Sequence, residues 1–309
     1  MSEQRSGGGA ALARPSPHYL PVGAAAAEGF TVYIGPEEAG WSYSSLRVVE
    51  IPAGGALELF TGDSEMLVLP LAGGCRVECG TFAQELVGRH SVFDRVSDFA
   101  YVPRESDVRL ASAEGVRLAL PGARARHALP ARYGAADAVP VEIRGAGPCS
   151  RQVNNFASPE GFETDRLIAV EVLTPGGNWS SYPPHRHDRA KEGEAILEEI
   201  YYFEVAGGAG TDAPGPGGYQ RVYSSAPDRE IDVLAEVSSG DVVLVPHGYH
   251  GPSMAAPGYD LYYLNVLAGP SPERTMAFSD DPAHAWVRLS WEGQPVDARL
   301  PMTSHRGRR

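Results

Sequence analysis

The chain has 309 residues, of which 43% are hydrophobic and 21% charged, a balance that is typical of a globular protein and excludes a disordered one. Its net charge of −13 argues against nucleic acid and anionic membranes as partners, because both require clustered basic charge, and favours a small molecule. No run of about 20 apolar residues occurs, and the first residues lack a signal-peptide pattern, so we expect a cytoplasmic protein.

Short runs rich in Val, Leu, Ile, Tyr and Phe recur along the chain, separated by the 36 glycines and 26 prolines. This alternation of apolar runs with glycine and proline predicts strands joined by turns. The clearest predicted strands, in chain order, lie at 46–51, 65–71, 100–102, 166–173, 199–205, 241–245 and 261–267. Amphipathic helical periodicity is scarce. The predicted fold class is therefore all-β, with the strands closing into barrels or sandwiches.

One pattern occurs once in each half of the chain. Asp98-Phe-Ala-Tyr-Val-Pro-Arg104 and Asp241-Val-Val-Leu-Val-Pro-His247 both consist of an Asp, an apolar strand, Val-Pro and a turn. The match predicts a tandem duplication of one β-domain, and the length of the chain also favours two domains. We expect β-barrels at 18–148 and 149–300, with tails at 1–17 and 301–309.

A pair of histidines opens the most informative segment, Tyr182-Pro-Pro-His185-Arg186-His187-Asp188. Residues two apart in a strand share a face, so His185 and His187 can both point into a barrel while Arg186 points out. Two imidazoles on one face can hold a metal ion. The N-terminal half has no such pair, so we expect its barrel to lack a metal site.

Two later segments add further candidate ligands. Glu198 and Glu199 open the strand predicted at 199–205, and His250 follows the strand predicted at 241–245. Adjacent strand residues cannot both face inward, so the pattern leaves either glutamate as the ligand. Glu199 is favoured because it directly precedes the Ile-Tyr-Tyr-Phe run, which places Tyr201 on its face.

Three imidazole nitrogens and one carboxylate oxygen suit a divalent transition metal ion, with open positions left for substrate. Zinc is the first expectation, and manganese, iron, cobalt or nickel are alternatives. The order of the motifs, H-x-H, then Glu, then G-x5-P-x-G-x-H, resembles that of the cupins. Eleven residues separate His187 from Glu199, more than in most cupins, which predicts an excursion at 188–197 over the barrel mouth.

Residues 166–287 resemble the 5-deoxy-glucuronate isomerase family of bacterial myo-inositol catabolism. The resemblance rests on VEVLTPGGNWSSYPPHRHD, LEEIYYF, QRVY, GDVVLVPHGYH and GYDLYYLNVLAGP, and extends more weakly to SVFDRVSDFAYVP. The related ketol-isomerases that act on 4-deoxy-5-hexosulose uronate share the barrel and metal-site layout, but GGNWSSYPPH favours the first family.

The resemblance implies a bicupin aldose–ketose isomerase that converts 5-deoxy-glucuronate to 5-dehydro-2-deoxy-gluconate. A divalent ion would polarise the substrate carbonyl and stabilise the enediolate formed when a proton leaves the neighbouring carbon. The non-ligating glutamate and a tyrosine such as Tyr201 are candidate proton carriers. Arg221, in QRVY, is a candidate partner for the substrate carboxylate, since its planar fork matches that group, and an ordinary surface ion pair is the alternative.

Two other functions use the same residues. A cupin dioxygenase would hold Fe²⁺ with these ligands and activate O₂, and a sugar-binding cupin would bind without turnover.

The odd number of cysteines, Cys75, Cys79 and Cys149, predicts free thiols in a reducing compartment. The sequence leaves the oligomeric state open, a homo-oligomer included.

Overall fold

The computed structural model describes residues 16–207, 211–212 and 215–308, and most of them lie in strands or the turns between strands. Residues 1–15 of the expected N-terminal tail lie outside this description. The described helical segments are α1 (Pro36–Ala39) and 3-10 turns at Ala136–Ala138, Gly147–Cys149 and Ala285–Trp291. Within the described ranges, no helix is long and apolar enough to cross a membrane.

Strands of the first part of the chain are β1 (Tyr19–Leu20), β2 (Val32–Ile34), β3 (Ser44–Ile51), β4 (Gly55–Phe60), β5 (Ser64–Cys79), β6 (Phe82–Arg89), β7 (Phe99–Val102), β8 (Asp107–Ser112), β9 (Val116–Arg124) and β10 (Arg132–Gly134). Strands β2 to β10 form one antiparallel sheet with the central order β10-β7-β5-β9-β3-β2. The long strand β5 pairs with β6, β7, β8 and β9 along its length, so the sheet curls around its own apolar side chains.

Strands of the second part are β11 (Val141–Arg144), β12 (Arg151–Asn154), β13 (Ile168–Thr174), β14 (Trp179–Ser180), β15 (His185–Arg186), β16 (Asp188–Lys191), β17 (Glu194–Ile196), β18 (Glu198–Gly207), β19 (Thr211–Asp212), β20 (Gly218–Tyr223), β21 (Asp232–Val237), β22 (Val242–Val245), β23 (Tyr249–Ala255), β24 (Tyr259–Ala268), β25 (Ser279–Asp280), β26 (Thr303–Ser304) and β27 (Gly307–Arg308). They form two main sheets, ordered β1-β22-β18-β24-β13-β12-β11 and β21-β20-β23-β15-β25.

These two sheets enclose an apolar core. Val172 and Phe203 of the first sheet and Val222 and Val233 of the second belong to one buried cluster. The outer strand β21 alternates exposed and buried residues, as a strand with one solvated face should. The central strand β18 is buried along almost its whole length, so both of its faces must pack against protein.

A further core lies between the curled N-terminal sheet and the back of the first C-terminal sheet. It joins Leu46 and Leu67 of the N-terminal sheet to Tyr202 and Leu264 of the C-terminal sheet. Because side chains alternate along a strand, Tyr202 faces this core while Tyr201 faces the C-terminal core. This packing leaves the inner face of β18 free to carry polar groups at its open end.

A strand occupies each of the seven predicted runs, and β5 continues beyond its prediction to Cys79. The C-terminal sheet also takes in β1 and β11, which precede the expected domain boundary at 148 and 149. Residues 301–309 are predicted as a tail, but β26 and β27 form a hairpin. Thr303 is buried there, and its backbone N–H and C=O bond the Gln152 side chain, each at 3.0 Å.

Candidate metal centre

Three buried side chains from different strands or their flanks converge at one end of the C-terminal core. His187 follows β15, Glu199 is the second residue of β18, and His250 is the second residue of β23. One potential ligand atom from each lies within 4.8 Å of the others. Among the residues that the structure describes, this is the one such group of at least three His, Cys, Asp or Glu side chains.

Backbone pairing brings these strands together. β15 pairs with β23 so that His185 lies directly opposite His250, and β18 pairs with β22, the strand before β23. The sharp turn between β22 and β23 requires Gly248. Its φ of +95° is strained for other residues, and the Cβ of any other residue there would lie 2.6 Å from the carbonyl oxygen of Tyr223. The glycine of the G-x5-P-x-G-x-H motif therefore aims His250 inward.

Both histidines are oriented by backbone carbonyls. Nδ1 of His187 lies 2.9 Å from the Leu197 carbonyl oxygen, and Nδ1 of His250 lies 3.2 Å from that of Gly248. A carbonyl only accepts hydrogen bonds, so Nδ1 carries a proton in each ring, and Nε2 is the nitrogen that can bind a metal ion. Such contacts are typical of the residues that orient metal-binding histidines.

Each Nε2 faces the same carboxylate oxygen. Oε2 of Glu199 is 2.9 Å from Nε2 of His187 and 3.0 Å from Nε2 of His250. The second approach lacks hydrogen-bond geometry, so Nε2 of His250 is a buried polar atom without a partner among the described residues. Lone pairs this close to a carboxylate require a positive charge, which a proton or a metal ion can supply. The donor set therefore fits a divalent metal ion.

Titration behaviour agrees with this arrangement. Burial alone would raise the pKa of the Glu199 carboxyl, but His250 and His187 outweigh burial and hold the pKa well below its usual range. Burial, reinforced by the neighbouring His250, also lowers the pKa of His185 well below its ordinary value, so that His185 is a neutral imidazole. Burial would lower the pKa of His187, but its hydrogen bond with Glu199 outweighs burial and raises that pKa, so a bound metal ion would replace a proton there.

His185 lies beside the cluster without completing it. Its ring centroid is 4.4 Å from that of His250 and 6.4 Å from that of His187, but its nitrogens are outside the group of converging ligand atoms. Arg186 points the other way, with its guanidinium 5.3 Å from the ring centroid of Tyr249. The predicted alternation along this segment is therefore present.

The two glutamates have separate partners. The Glu198 carboxylate accepts hydrogen bonds from the backbone N–H groups of Ser42, Tyr43 and Ser44, at 2.7, 2.7 and 2.9 Å. These residues belong to the N-terminal sheet or its edge, so Glu198 holds the two halves together. The structure thus brings Glu199, and not Glu198, to the histidines.

Tyr201 shares the inner face of β18 with Glu199. Its hydroxyl lies 3.2 Å from Oγ of Ser181, which in turn lies 3.1 Å from the hydroxyl of Tyr263. Burial, and then the charge of Glu199, raises the pKa of Tyr201 well above its ordinary value. The hydroxyl therefore stays protonated at neutral pH. Ser181 was not among the sequence candidates, because its position depends on how a loop pairs.

Arg221 lies away from this cluster. Its guanidinium pairs with Asp232 on the neighbouring strand and donates a hydrogen bond of 2.8 Å to the Val233 carbonyl. The next residue, Val222, is fully buried in the C-terminal core, so alternation turns Arg221 to the outside of the sheet.

His187 and Glu199 of this cluster lie at the wall of a narrow recess of about 60 Å³. The recess is lined by Arg144, Arg151, Val153, Val170, Val172, Ser181, His185, His187, Leu197, Glu199, Tyr201, Tyr263, Asn265, Leu267, Met276 and Phe278. A wider cleft of about 520 Å³ shares five of these residues and adjoins the recess. The volume of this cleft lies in the range of small-molecule sites.

Comparison with known proteins finds relatives over most of the chain. Residues 19–287 match the model of the KduI/IolB family. The chain is 42% identical over 266 residues to 5-deoxy-glucuronate isomerase of Geobacillus kaustophilus, an alignment that covers 85% of this chain and 92% of that protein. It is 34% identical over 249 residues to 5-deoxy-glucuronate isomerase of Bacillus subtilis (strain 168), with 80% and 88% covered.

Solved structures agree with this relationship. An IolB-like protein from Salmonella typhimurium LT2 has a TM-score of 0.79 and 33% identity, with 87% of this chain and 98% of that chain covered. A Bacillus subtilis oxalate decarboxylase has a TM-score of 0.55 at 12% identity, with 80% and 74% covered, which shows only that the fold is cupin-like. The family model covers well over half of the sequence, and the chain belongs to the KduI/IolB family.

Proposed function

We propose that the protein is an aldose–ketose isomerase that converts 5-deoxy-glucuronate to 5-dehydro-2-deoxy-gluconate. The observation that carries this proposal is the buried group of His187, Glu199 and His250, two of which line a recess that adjoins a cleft of substrate size. The relatives named 5-deoxy-glucuronate isomerase match most of the chain, and the family model matches residues 19–287, which include the recess.

The metal centre in this proposal contains one divalent transition ion. His187, Glu199 and His250 would supply three ligands, and His185, whose ring packs against that of His250, is proposed as the fourth. Two or more nitrogens with a carboxylate suit zinc first, and manganese, iron, cobalt or nickel also. When bound, such an ion acts as a Lewis acid that polarises the carbonyl of the substrate.

The chain's own groups would position the substrate and its protons. The hydroxyls of Tyr201 and Tyr263, joined through Ser181, stay protonated and can donate hydrogen bonds to the oxygen that gains charge as the carbon-bound proton leaves. Glu198 is occupied by backbone N–H groups outside the recess, which removes it as a proton carrier. Glu199 lines the recess, but the histidines hold its pKa low, so we propose that it acts as a metal ligand and that Tyr201 stays the candidate proton carrier.

We also propose that the molecule is a bicupin, with one barrel built from β2 to β10 and a second from β12 to β25 that also takes in β1 and β11. The two copies of the Asp-strand-Val-Pro pattern support this, because the carboxylates of both aspartates accept hydrogen bonds from backbone N–H groups. Asp98 accepts from Val87 and Gly88, each at 2.9 Å, and Asp241 accepts from Val22 and Ser238, each at 2.8 Å. Only the second barrel would bind metal.

The compartment and assembly are further proposals. Cys75, Cys79 and Cys149 are all free, which fits the reducing cytoplasm that we propose for the protein. A homo-oligomer stays a prediction, to be checked by light scattering of the purified protein.

The direct test is incubation of the purified protein with 5-deoxy-glucuronate, with the ketose followed by NMR. Appearance of the ketose without O₂ uptake supports the isomerase. Consumption of O₂ by the iron-loaded protein would instead indicate a dioxygenase. Binding of the sugar acid without product would indicate a non-catalytic sugar-binding cupin.

A further inference from the structure

Arg151 is a buried arginine in the wall of the recess. It opens β12, is 6% exposed, and lines both the recess and the adjoining cleft. On the same face of β12, two residues along, Val153 packs in the C-terminal core. The guanidinium therefore reaches the same enclosed space as Glu199, His185 and His187, from another strand of the sheet that carries Glu199.

This guanidinium has no acidic partner among the described residues. Its Nη1 donates a hydrogen bond of 3.0 Å to the Cys149 carbonyl, and its central carbon lies 5.7 Å from the ring centroid of Trp291. These neighbours are uncharged, and no ion pair of Arg151 occurs within the described ranges. A buried charge without a counter-ion is costly, so its retention calls for an explanation.

A neighbouring arginine makes the contrast clear. Arg144 lies directly opposite Arg151 on β11 and lines the same recess, yet two of its nitrogens bond the Glu142 carboxylate, at 2.7 and 3.0 Å. Its charge is neutralised within the protein. Burial, with the positive charges of Arg144 and Arg288 nearby, lowers the pKa of Arg151 to about 10, so it remains a cation at neutral pH.

We propose that Arg151 binds the carboxylate of the sugar-acid substrate, an inference that rests on the proposed isomerase function. The planar guanidinium offers a fork of N–H donors that matches a carboxylate in two parallel hydrogen bonds. A molecule with a carbonyl at one end and a carboxylate at the other would then be held between the metal ligands and Arg151. The substrate itself supplies the missing counter-ion.

The test compares the acid with its uncharged methyl ester. In Arg151→Gln, KM for 5-deoxy-glucuronate should rise by roughly 10- to 100-fold, the effect expected for loss of a charge-assisted pair, while kcat changes far less. KM for the methyl ester should be the same in the variant and the wild type. Arg151→Lys keeps the charge but loses the fork of donors. Its KM for 5-deoxy-glucuronate should lie between those of the wild type and Arg151→Gln.

Arg221→Gln is the matched control, because Arg221 pairs with Asp232 on the outside of the sheet. Its KM for the acid should equal that of the wild type. Thermal unfolding of each variant checks the fold, and if Arg151→Gln does not fold, Arg151→Lys carries the same comparison. An unchanged KM in Arg151→Gln overturns the assignment, as does a KM that rises equally for acid and ester, or one that rises only in Arg221→Gln.

A binding measurement separates this inference from the proposed function. Gluconate, a six-carbon acid without an aldehyde, is titrated into each protein in a calorimeter. Binding to the wild type and to Arg221→Gln, with loss in Arg151→Gln, supports the carboxylate site even if the wild type does not isomerise 5-deoxy-glucuronate. Equal gluconate affinity in all three proteins, or binding to none, counts against Arg151.

Discussion

At the scale of single residues, the site depends on one carboxylate oxygen that faces two imidazoles. The imidazoles cannot turn away, since the carbonyls of Leu197 and Gly248 hold the Nδ1 atoms. The carboxylate cannot be neutralised easily, because the histidines hold its pKa low. A site this rigid loses little freedom when a metal ion binds, which favours tight binding.

The two adjacent glutamates give a paired prediction. Glu199→Gln removes an ionised ligand and should weaken metal binding by at least about 10- to 100-fold, since changes even beyond the direct ligands cost that much. Glu198→Gln should retain the metal but lose stability of roughly 1–3 kcal/mol, because three backbone N–H groups lose a charged acceptor. Metal content by mass spectrometry and unfolding by urea measure the two effects. The reverse order of metal loss would show that the register of β18 is shifted by one residue.

Cys75 gives a prediction about pH. Burial, and then the charges of Asp98 and Glu85, raises the pKa of its thiol from 9.0 to about 12. Below pH 9 the thiol is neutral whether the chain is folded or unfolded, so it does not affect the pH dependence. As pH rises above 9 the unfolded chain loses the proton first, so the free energy of unfolding falls, by up to about 1.4 kcal/mol per pH unit from this thiol. Urea unfolding from pH 8 to 10 should show a shallower fall in Cys75→Ala, and identical slopes would be evidence against the raised pKa.

At the scale of strands, alternation was enough to predict which residues of a segment share a face. It separated His185 and His187 from Arg186, and it placed Tyr201 with Glu199, as the structure does. These predictions needed only the period of two along a single strand. The local sequence pattern therefore predicts most of the residues of the candidate site.

The residues that were missed depend on contacts between distant segments. Arg151 and Ser181 enter the recess because of how β12 and the loop before β15 are placed, which no single-strand pattern encodes. The sequence leaves Arg221 either as a carboxylate partner or in a surface ion pair, because the pairing of β20 with β21 decides the face that it occupies. Tertiary register decides such positions, and one sequence does not reveal it.

The excursion predicted at 188–197 is present as a small hairpin of β16 and β17. Hydrogen bonds at both ends of this hairpin hold it against neighbouring segments. The Asp188 carboxylate accepts hydrogen bonds from Ser225 at 2.6 Å and from the Gly248 backbone at 3.1 Å, and the Ala195 N–H donates to the Ala277 carbonyl at 3.0 Å. Its end, Leu197, lines the recess and orients His187. The extra residues thus form part of the wall of the site.

At the scale of the whole molecule, the two halves are joined by an apolar core and by a buried ion pair. Arg89, the last residue of β6, pairs with Glu171 of β13, and both side chains are fully buried. Tyr262 and Asn154 also donate to the Glu171 carboxylate, at 2.7 and 3.2 Å. The back of the sheet that carries Glu199 is therefore fixed to the N-terminal half.

Breaking this pair should destabilise the whole protein. Arg89→Met leaves the Glu171 charge buried and should cost about 3–5 kcal/mol, whereas Arg89→Met combined with Glu171→Leu should cost less than the single change. Urea unfolding of both variants measures this. Arg76→Met, which breaks an exposed ion pair, is the control and should change the free energy of unfolding by close to zero. A double variant less stable than Arg89→Met would contradict the account of the interface.

The central claim is that one metal ion, held by the histidine and glutamate cluster, is required for isomerisation. The most direct measurement strips the protein of metal with a chelator, adds Zn²⁺ in steps, and follows the initial rate of ketose formation from 5-deoxy-glucuronate. The account predicts no rate in the stripped protein and a linear rise that ends at about one ion per chain, as expected for a single mononuclear centre. A full rate without metal, or a rise that continues to a second equivalent, would contradict it.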